Sequence, residues 1–387
     1  SEDIDYLRSL RFFDEGFLNF LQSFRFTGEV WAIPEGEVFF PPEPVLEIRA
    51  PLIEAQIIET FLLNQVNFQS LIASKAGRIV LQAQKRDVID FSPRRDHGVD
   101  ASLKVARASY IAGCIGTSNV LAGALYHIPV YGTMAHSYVM AFPDELTAFR
   151  TFVQDFPDHA FLLIDTYDTI KGAYNAVTIA RELEAHGKQL KGVRIDSGDL
   201  LELSRKVRRI LDDAGFYTVK ILASGDLNEY KISELVQQNA PIDAFGVGTE
   251  LGTSADAPFL GGVYKLVEEA NVPRIKLSQG KVTLPGVKQV YRFFTPDDFF
   301  AYDVITLRDA PPPGGNCYPL LKKVMEKGKV CEPLPPLQEI QRKCQETLKH
   351  LPPPCLELYS SCSYPVHLSP ELSRLLESLV RSFSSSS

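Results

Sequence analysis

A CxxC pair is missing from this sequence. Six cysteines stand at 114, 317, 331, 344, 355 and 362 with no CxxC and no histidines at zinc-finger spacing, which excludes a cysteine metal cage and a redox dithiol. Scattered, reduced thiols are the expectation, and a disulfide stays open among the last five. No run of about 18 apolar residues occurs, so no membrane-spanning helix is written. No charged-then-apolar leader opens the chain either; a cytoplasmic location is expected, and with Ser1 in first place the natural start is expected upstream. Positive charge is not in excess: 40 Lys and Arg face 48 Asp and Glu, a net −8. Phosphate backbones and anionic lipid surfaces are held by clustered cations, so neither nucleic acid nor membrane is an expected partner, although a local anion pocket remains open. The Gly-Lys-Ser/Thr of a Walker loop is also lacking.

What is present is an ordinary globular composition, 387 residues of which 45% are hydrophobic. That length suits two domains or one barrel with additions. Helical spacing marks the first twenty-odd residues, and short antiparallel strands with Pro and Gly turns are expected over "FTGEVWAIPEGEVFFPPEPVLEIRAP". Residues 52–76 return to helix, with Ile53, Ile57, Phe61, Leu62 and Val66 along one face. Then strand, polar loop and helix repeat: "GALYHIPVYG", "AFLLID", "KGVRID", "VKILAS" and "IDAFGVG" are short apolar runs, the later ones separated by amphipathic helices. Such βαβ repetition predicts a parallel sheet. The fold class expected is therefore α/β, an irregular TIM-like α/β barrel with a second, discontinuous β-rich α/β domain. Residues 1–85 would begin that sandwich domain, 86–256 form the barrel, 257–310 return strands to the sandwich, and 311–387 supply a linker and helices ending in a disordered serine tail. Between 257 and 294, Asn-Val-Pro, Gln-Gly and Pro-Gly turns would divide the strands.

The unusual chemistry gathers in loops after the strands, and in α/β barrels that face holds the active site. In "VRIDSGDL", Asp196 and Asp199 flank Ser197 and Gly198. Carboxylates there suit a sugar diol or a divalent cation on a polyphosphate, and small residues bring backbone amides to phosphate. An ordinary helix N-cap explains the same residues equally well. Arg194 tips the balance toward a site, because a guanidinium aimed into a strand layer needs an anion. His136, after Gly132, Thr133 and Ala135, is either a structural hydrogen-bonder or a base, metal ligand or phosphoryl acceptor. Gly246-Val247-Gly248-Thr249 reads as a phosphate nest. In "DFSPRRDHG", Phe91 ahead of Arg94 offers a stacking surface beside an anion clamp. A Schiff-base aldolase is excluded, since no strand-end loop carries a lysine.

"GTMAHS", "VRIDSGDL", "GVGT" followed by "GGVYKLV", and "RR…ASYIAG…GTSNVLAG" together resemble the nicotinate phosphoribosyltransferase family. The resemblance runs from about residue 25 to the C-terminal helices. It implies that nicotinate and 5-phosphoribosyl-1-diphosphate become nicotinate mononucleotide and diphosphate, with ATP hydrolysis coupled through a phosphohistidine at His136. It implies further that Arg194 pairs with the nicotinate carboxylate, Phe91 stacks on the ring, and Arg94 clamps phosphate. Asp165 and Asp196 would hold ribose hydroxyls or Mg²⁺, the ion being carried mainly by diphosphate. Ser197, Gly198, Gly246, Gly248 and Thr249 would line the phosphoribosyl site, with Asp196 among the catalytic groups. Ser118 stands where the related nicotinamide-using enzyme resembles "GTD"; serine there favours the acid. That residue argues against a nicotinamide enzyme and the His136 motif against a quinolinate one. A homodimer is implied as well. The family's opening "TDLYxxTM" motif, whose tyrosine would cover the ring from the partner subunit, is absent from the chain as given. One-sided stacking and an exposed apolar surface are the expected consequence, and an inactive, ligand-binding homologue is the alternative.

Overall fold

The computed structural model describes residues 2–277, 283–360 and 362–384. Two compact units emerge: one holds 1–63, 263–335 and 364–387, the other 64–262 and 336–363.

The larger unit is built on a parallel sheet. Apolar runs that are buried on both faces make such strands, and Val193, Ile195, Ile221, Ala223, Phe245 and Val247 are all buried in one core. The spatial order is Gly116–Thr117, Asp87–Asp90, Ala244–Val247, Lys220–Ser224, Gly192–Ile195, Phe161–Leu163, every pairing being parallel. A bridge from Thr117 to Val130 extends the first edge. Among the described residues no ladder joins the two edges, so the expected barrel is not closed by strand pairing. The chain after Val130 and the chain after Leu163 carry His136 and Thr166, and their side chains meet across that gap at 3.1 Å.

Helices return on the sheet from side-chain caps. Asp168, Asp199 and Asn228 each accept the backbone N–H three residues on, at 2.8, 3.0 and 3.0 Å, satisfying donors that a helix start leaves free. The long helix Glu59–Ala83 belongs mostly to this unit, anchored by buried Lys75, which meets Glu229 and Asp256 at 2.7 Å each. Helix Leu337–Lys349 packs on helix Val99–Ile111, with Gln341 donating to the Tyr110 and Cys114 carbonyls and Gln345 to that of Ala112.

The smaller unit holds two four-stranded sheets. In one, Glu29–Ala32 lies between Leu46–Arg49 and Lys322–Glu326; in the other, Lys288–Phe294 lies between Cys317–Pro319 and Phe300–Leu307. The early strands pair with 322–326 and not with the 257–310 segment expected to rejoin them, and the stretch after 311, read from sequence as linker and helix, supplies strands at 317–319, 322–326, 329–330 and 366–368. These are too short to show alternation and are stabilised by their neighbours. Arg292 is wholly buried here, held by Asp303 at 2.7 Å and by Glu37 at 3.1 Å.

Cys355 and Cys362 are joined in a disulfide, the alternative left open beside the expectation of reduced thiols; Cys114, Cys317, Cys331 and Cys344 are free. Of the expected serine tail, 384–387, Ser384 ends helix Pro370–Ser384, and 385–387, like the Gln-Gly turn at 279–280, lie outside the described residues. Among the described residues no helix is long and apolar enough to cross a membrane.

Candidate active site

Arg194 is the half-buried position of an otherwise buried strand. Its neighbours hold the guanidinium on three sides: Nε donates to Ser224 Oγ at 2.7 Å, Nη1 to Thr133 Oγ1 at 2.9 Å, and Nη2 to Asp196 Oδ1. A guanidinium has five N–H donors, so these acceptors leave one proton on each Nη. The Phe91 ring lies below, its centroid 5.4 Å from the guanidinium carbon. Charge and aromatic surface are thus presented together, the arrangement a planar anion requires.

Asp196 accepts on Oδ1 from both Arg194 and Ser224, while Oδ2 lies 3.6 Å from His136 Nε2. Burial works against its charge, but the Arg194 cation, the two hydrogen bonds and His136 prevail and hold the carboxyl below the usual carboxylate range. The Asp165 carboxylate stands behind it. Its Oδ2 accepts from the Asp196 backbone at 3.0 Å and from Ser197 Oγ at 2.6 Å. Its Oδ1 is buried without a hydrogen-bond partner, 4.0 Å from His136 Nε2. The imidazole itself is 40% exposed and fixed through Nδ1 to Thr166.

The ring-facing loops are fastened to one buried carboxylate. Asp90 accepts from Ser92 N, Ser92 Oγ and Thr117 Oγ1 at 2.9, 2.6 and 2.7 Å, and its carbonyl receives Ser118 N–H at 2.8 Å. Complete burial pushes its pKa up despite those bonds. Gly246 is required by the Phe91 ring, which a Cβ there would meet at 2.4 Å.

Phe91, Arg94, Ser118, His136, Arg194 and Asp196 line one cavity of about 300 Å³. Asp165 and Ser197 are bonded to its wall, and Gly246 and Gly248 back onto Phe91. Gly198 and Thr249 are not among the cavity lining. Gly198 turns the chain at φ +82°, and Thr249 starts the short helix Thr249–Thr253. Within "DSGD", Asp199 is the cap of helix Leu200–Asp213, whereas Asp196 lines the cavity. Thr133 and Ser224 lie in strand-end loops that the sequence singles out, but no pattern there assigns either a role. Only the register, which sets Arg194 beside Leu222 and Ile195 beside Ala223, brings the serine to the arginine. Among the described residues no group of three or more His, Cys, Asp or Glu side chains is placed to hold a metal ion.

Comparison with known proteins gives the family. Residues 1–67, 87–268 and 315–376 match, in turn, the nicotinate phosphoribosyltransferase N-terminal domain, the nicotinate phosphoribosyltransferase family and its C-terminal domain. A Mycobacterium tuberculosis nicotinate phosphoribosyltransferase is 45% identical over 97% of this chain and 81% of its own length. The Bacillus subtilis protein of that name is 41% identical over 95% of this chain and 80% of its own. The crystal structure of human nicotinic acid phosphoribosyltransferase superposes with a TM-score of 0.88 at 29% identity, covering 98% of this chain and 88% of that one. The chain belongs to the nicotinate phosphoribosyltransferase family.

Proposed function

We propose that the chain transfers the 5-phosphoribosyl group of 5-phosphoribosyl-1-diphosphate to nicotinate, forming nicotinate mononucleotide and diphosphate. The observation that carries the residue roles is Arg194, pinned over Phe91 with one unspent proton on each Nη. Those protons receive the nicotinate carboxylate and the ring lies on Phe91. The ring nitrogen then attacks C1 of the ribose as the C1–O bond breaks and its electron pair leaves with diphosphate. Holding both reactants in line lowers the barrier through lost freedom already spent on binding. Asp196, Asp165 and Ser197 take the ribose hydroxyls. Arg94 and the backbone at Gly198, Gly246, Gly248 and Thr249 take the phosphates.

Asp165 Oδ1, buried and without a partner, and Asp196 Oδ2 are hard oxygens fit for Mg²⁺ carried on diphosphate; the ion would neutralise charge on the leaving group. His136 is the proposed phosphoryl acceptor from ATP: ADP leaves as the phosphoryl joins the imidazole, and water later returns the histidine and phosphate. Asp196 Oδ2 and Asp165 Oδ1 stand 3.6 and 4.0 Å from the imidazole Nε2. A homodimer completes the reading, supported by the exposed apolar Val99, Val120 and Leu121 around a groove that shares Pro93 and Ser118 with the cavity.

The test is Arg194→Ala assayed with nicotinate and with nicotinamide. Losing a charge-assisted bond pair raises the nicotinate KM about 10- to 100-fold, and leaves nicotinamide binding as weak as before. An unchanged nicotinate KM would remove Arg194 from this role.

A further inference from the structure

We propose that Ser224 is a positioning residue that sets the carboxylate-binding geometry of Arg194 by standing between its Nε and Asp196. The inference rests on the reading of Arg194 as the partner of the nicotinate carboxylate. Ser224 ends strand Lys220–Ser224 and is 2% exposed. Its Oγ accepts from Arg194 Nε at 2.7 Å and donates its single proton to Asp196 Oδ1. A hydroxyl has one proton to give, so the direction of the chain is fixed: guanidinium to serine to aspartate.

The consequence is geometric. Arginine and a carboxylate two positions away on the same strand end prefer a bidentate pair, with Nε and Nη2 both bonded to one carboxylate. Ser224 fills the Nε half of that fork, so Asp196 engages Nη2 alone. Asp196 Oδ2 stays near His136, and the remaining Nη protons stay with the cavity. Without the hydroxyl, Asp196 closes on Nε as well, the guanidinium rotates toward it, and the protons meant for the substrate swing away. The turn that follows keeps the serine within reach: Gly225 has φ +93°, and a Cβ there would lie 2.0 Å from the Asp196 carbonyl oxygen.

The test compares Ser224→Ala, Ser224→Cys and Ser224→Thr in the full chain, measuring kcat and KM for each substrate beside Tm. Cysteine keeps nearly the volume of serine but bonds weakly, and threonine keeps the hydroxyl. The expected result is a nicotinate KM raised roughly tenfold in the alanine and cysteine variants, the worth of one hydrogen bond to a charged group. The phosphoribosyl diphosphate KM rises less, since Asp196 also shifts as it closes on Nε, and threonine restores most of the loss. A purely packing role would lower Tm and raise both KM values by the same factor, which would overturn the proposal. So would an unchanged nicotinate KM in Ser224→Ala. Arg194→Ala in the same series separates the two claims: if it raises the nicotinate KM and Ser224→Ala does not, the Ser224 role alone falls; if neither does, both fall.

Discussion

Asp196 and Asp199 lie three positions apart and meet different demands. Asp199 caps a helix, accepting Glu202 N–H at 3.0 Å, so Asp199→Ala is expected to cost about 1 kcal/mol of stability with substrate KM values unchanged, read by denaturant melts beside kinetics. Asp196 is held in ionised form by Arg194 against its burial. Both were visible in sequence, but an acidic residue before a helix looks the same in either role. Ser118, proposed as a selector through the family resemblance, lines the cavity that Arg194 lines. Placing a carboxylate there opposes an anionic substrate, so Ser118→Asp is expected to lose nicotinate turnover and to gain turnover of nicotinamide, measured by product chromatography. Gly246 makes a third prediction. A methyl there would overlap the Phe91 ring, so Gly246→Ala is expected to displace the ring and raise the nicotinate KM with the sheet intact.

At the scale of elements, the parallel strands were readable because each is a continuous apolar run followed by a polar loop, and both faces are indeed buried. The strands at 317–330 were not, because two- to five-residue segments take their conformation from sheet partners distant in sequence. The Arg292 cluster was likewise invisible: its members at 37, 43, 303 and 364 come together only in the folded sheet. Burial first, and then the neighbouring Asp303, raise Glu43 from 4.5 to about 9. The folded protein therefore holds a proton at Glu43 that the unfolded chain releases above its ordinary pKa. This contribution to stability is complete below that ordinary value and is lost as pH rises through about 9. Tm is expected to fall toward the alkaline side, and Glu43→Gln to flatten that fall, as followed by thermal melts across the range. A melt of the variant as steep as the parent's would show that the proton sits elsewhere.

For the whole molecule, the position of the candidate site after the parallel strands follows from the distribution of apolar runs and polar loops, whereas the bounds of the two units differ from those read in sequence, 64–85 and 336–363 going with the parallel sheet. The ring left open between its edge strands did not follow, since closure depends on pairing across the fold rather than on any local pattern. That opening is where His136 and Thr166 face each other. The proposed homodimer is tested at the exposed Val120 and Leu121 beside the cavity: Val120→Glu with Leu121→Glu is expected to give monomer in sedimentation where the parent sediments as a dimer, and a parent that sediments as a monomer would remove the homodimer from the reading. The most direct test of the account is an assay of the purified chain with nicotinate, phosphoribosyl diphosphate, Mg²⁺ and ATP, reading nicotinate mononucleotide by chromatography beside His136→Ala. The account predicts product that requires nicotinate, is stimulated by ATP, and loses that stimulation in the variant. A folded chain that binds phosphoribosyl diphosphate yet forms no product would contradict it.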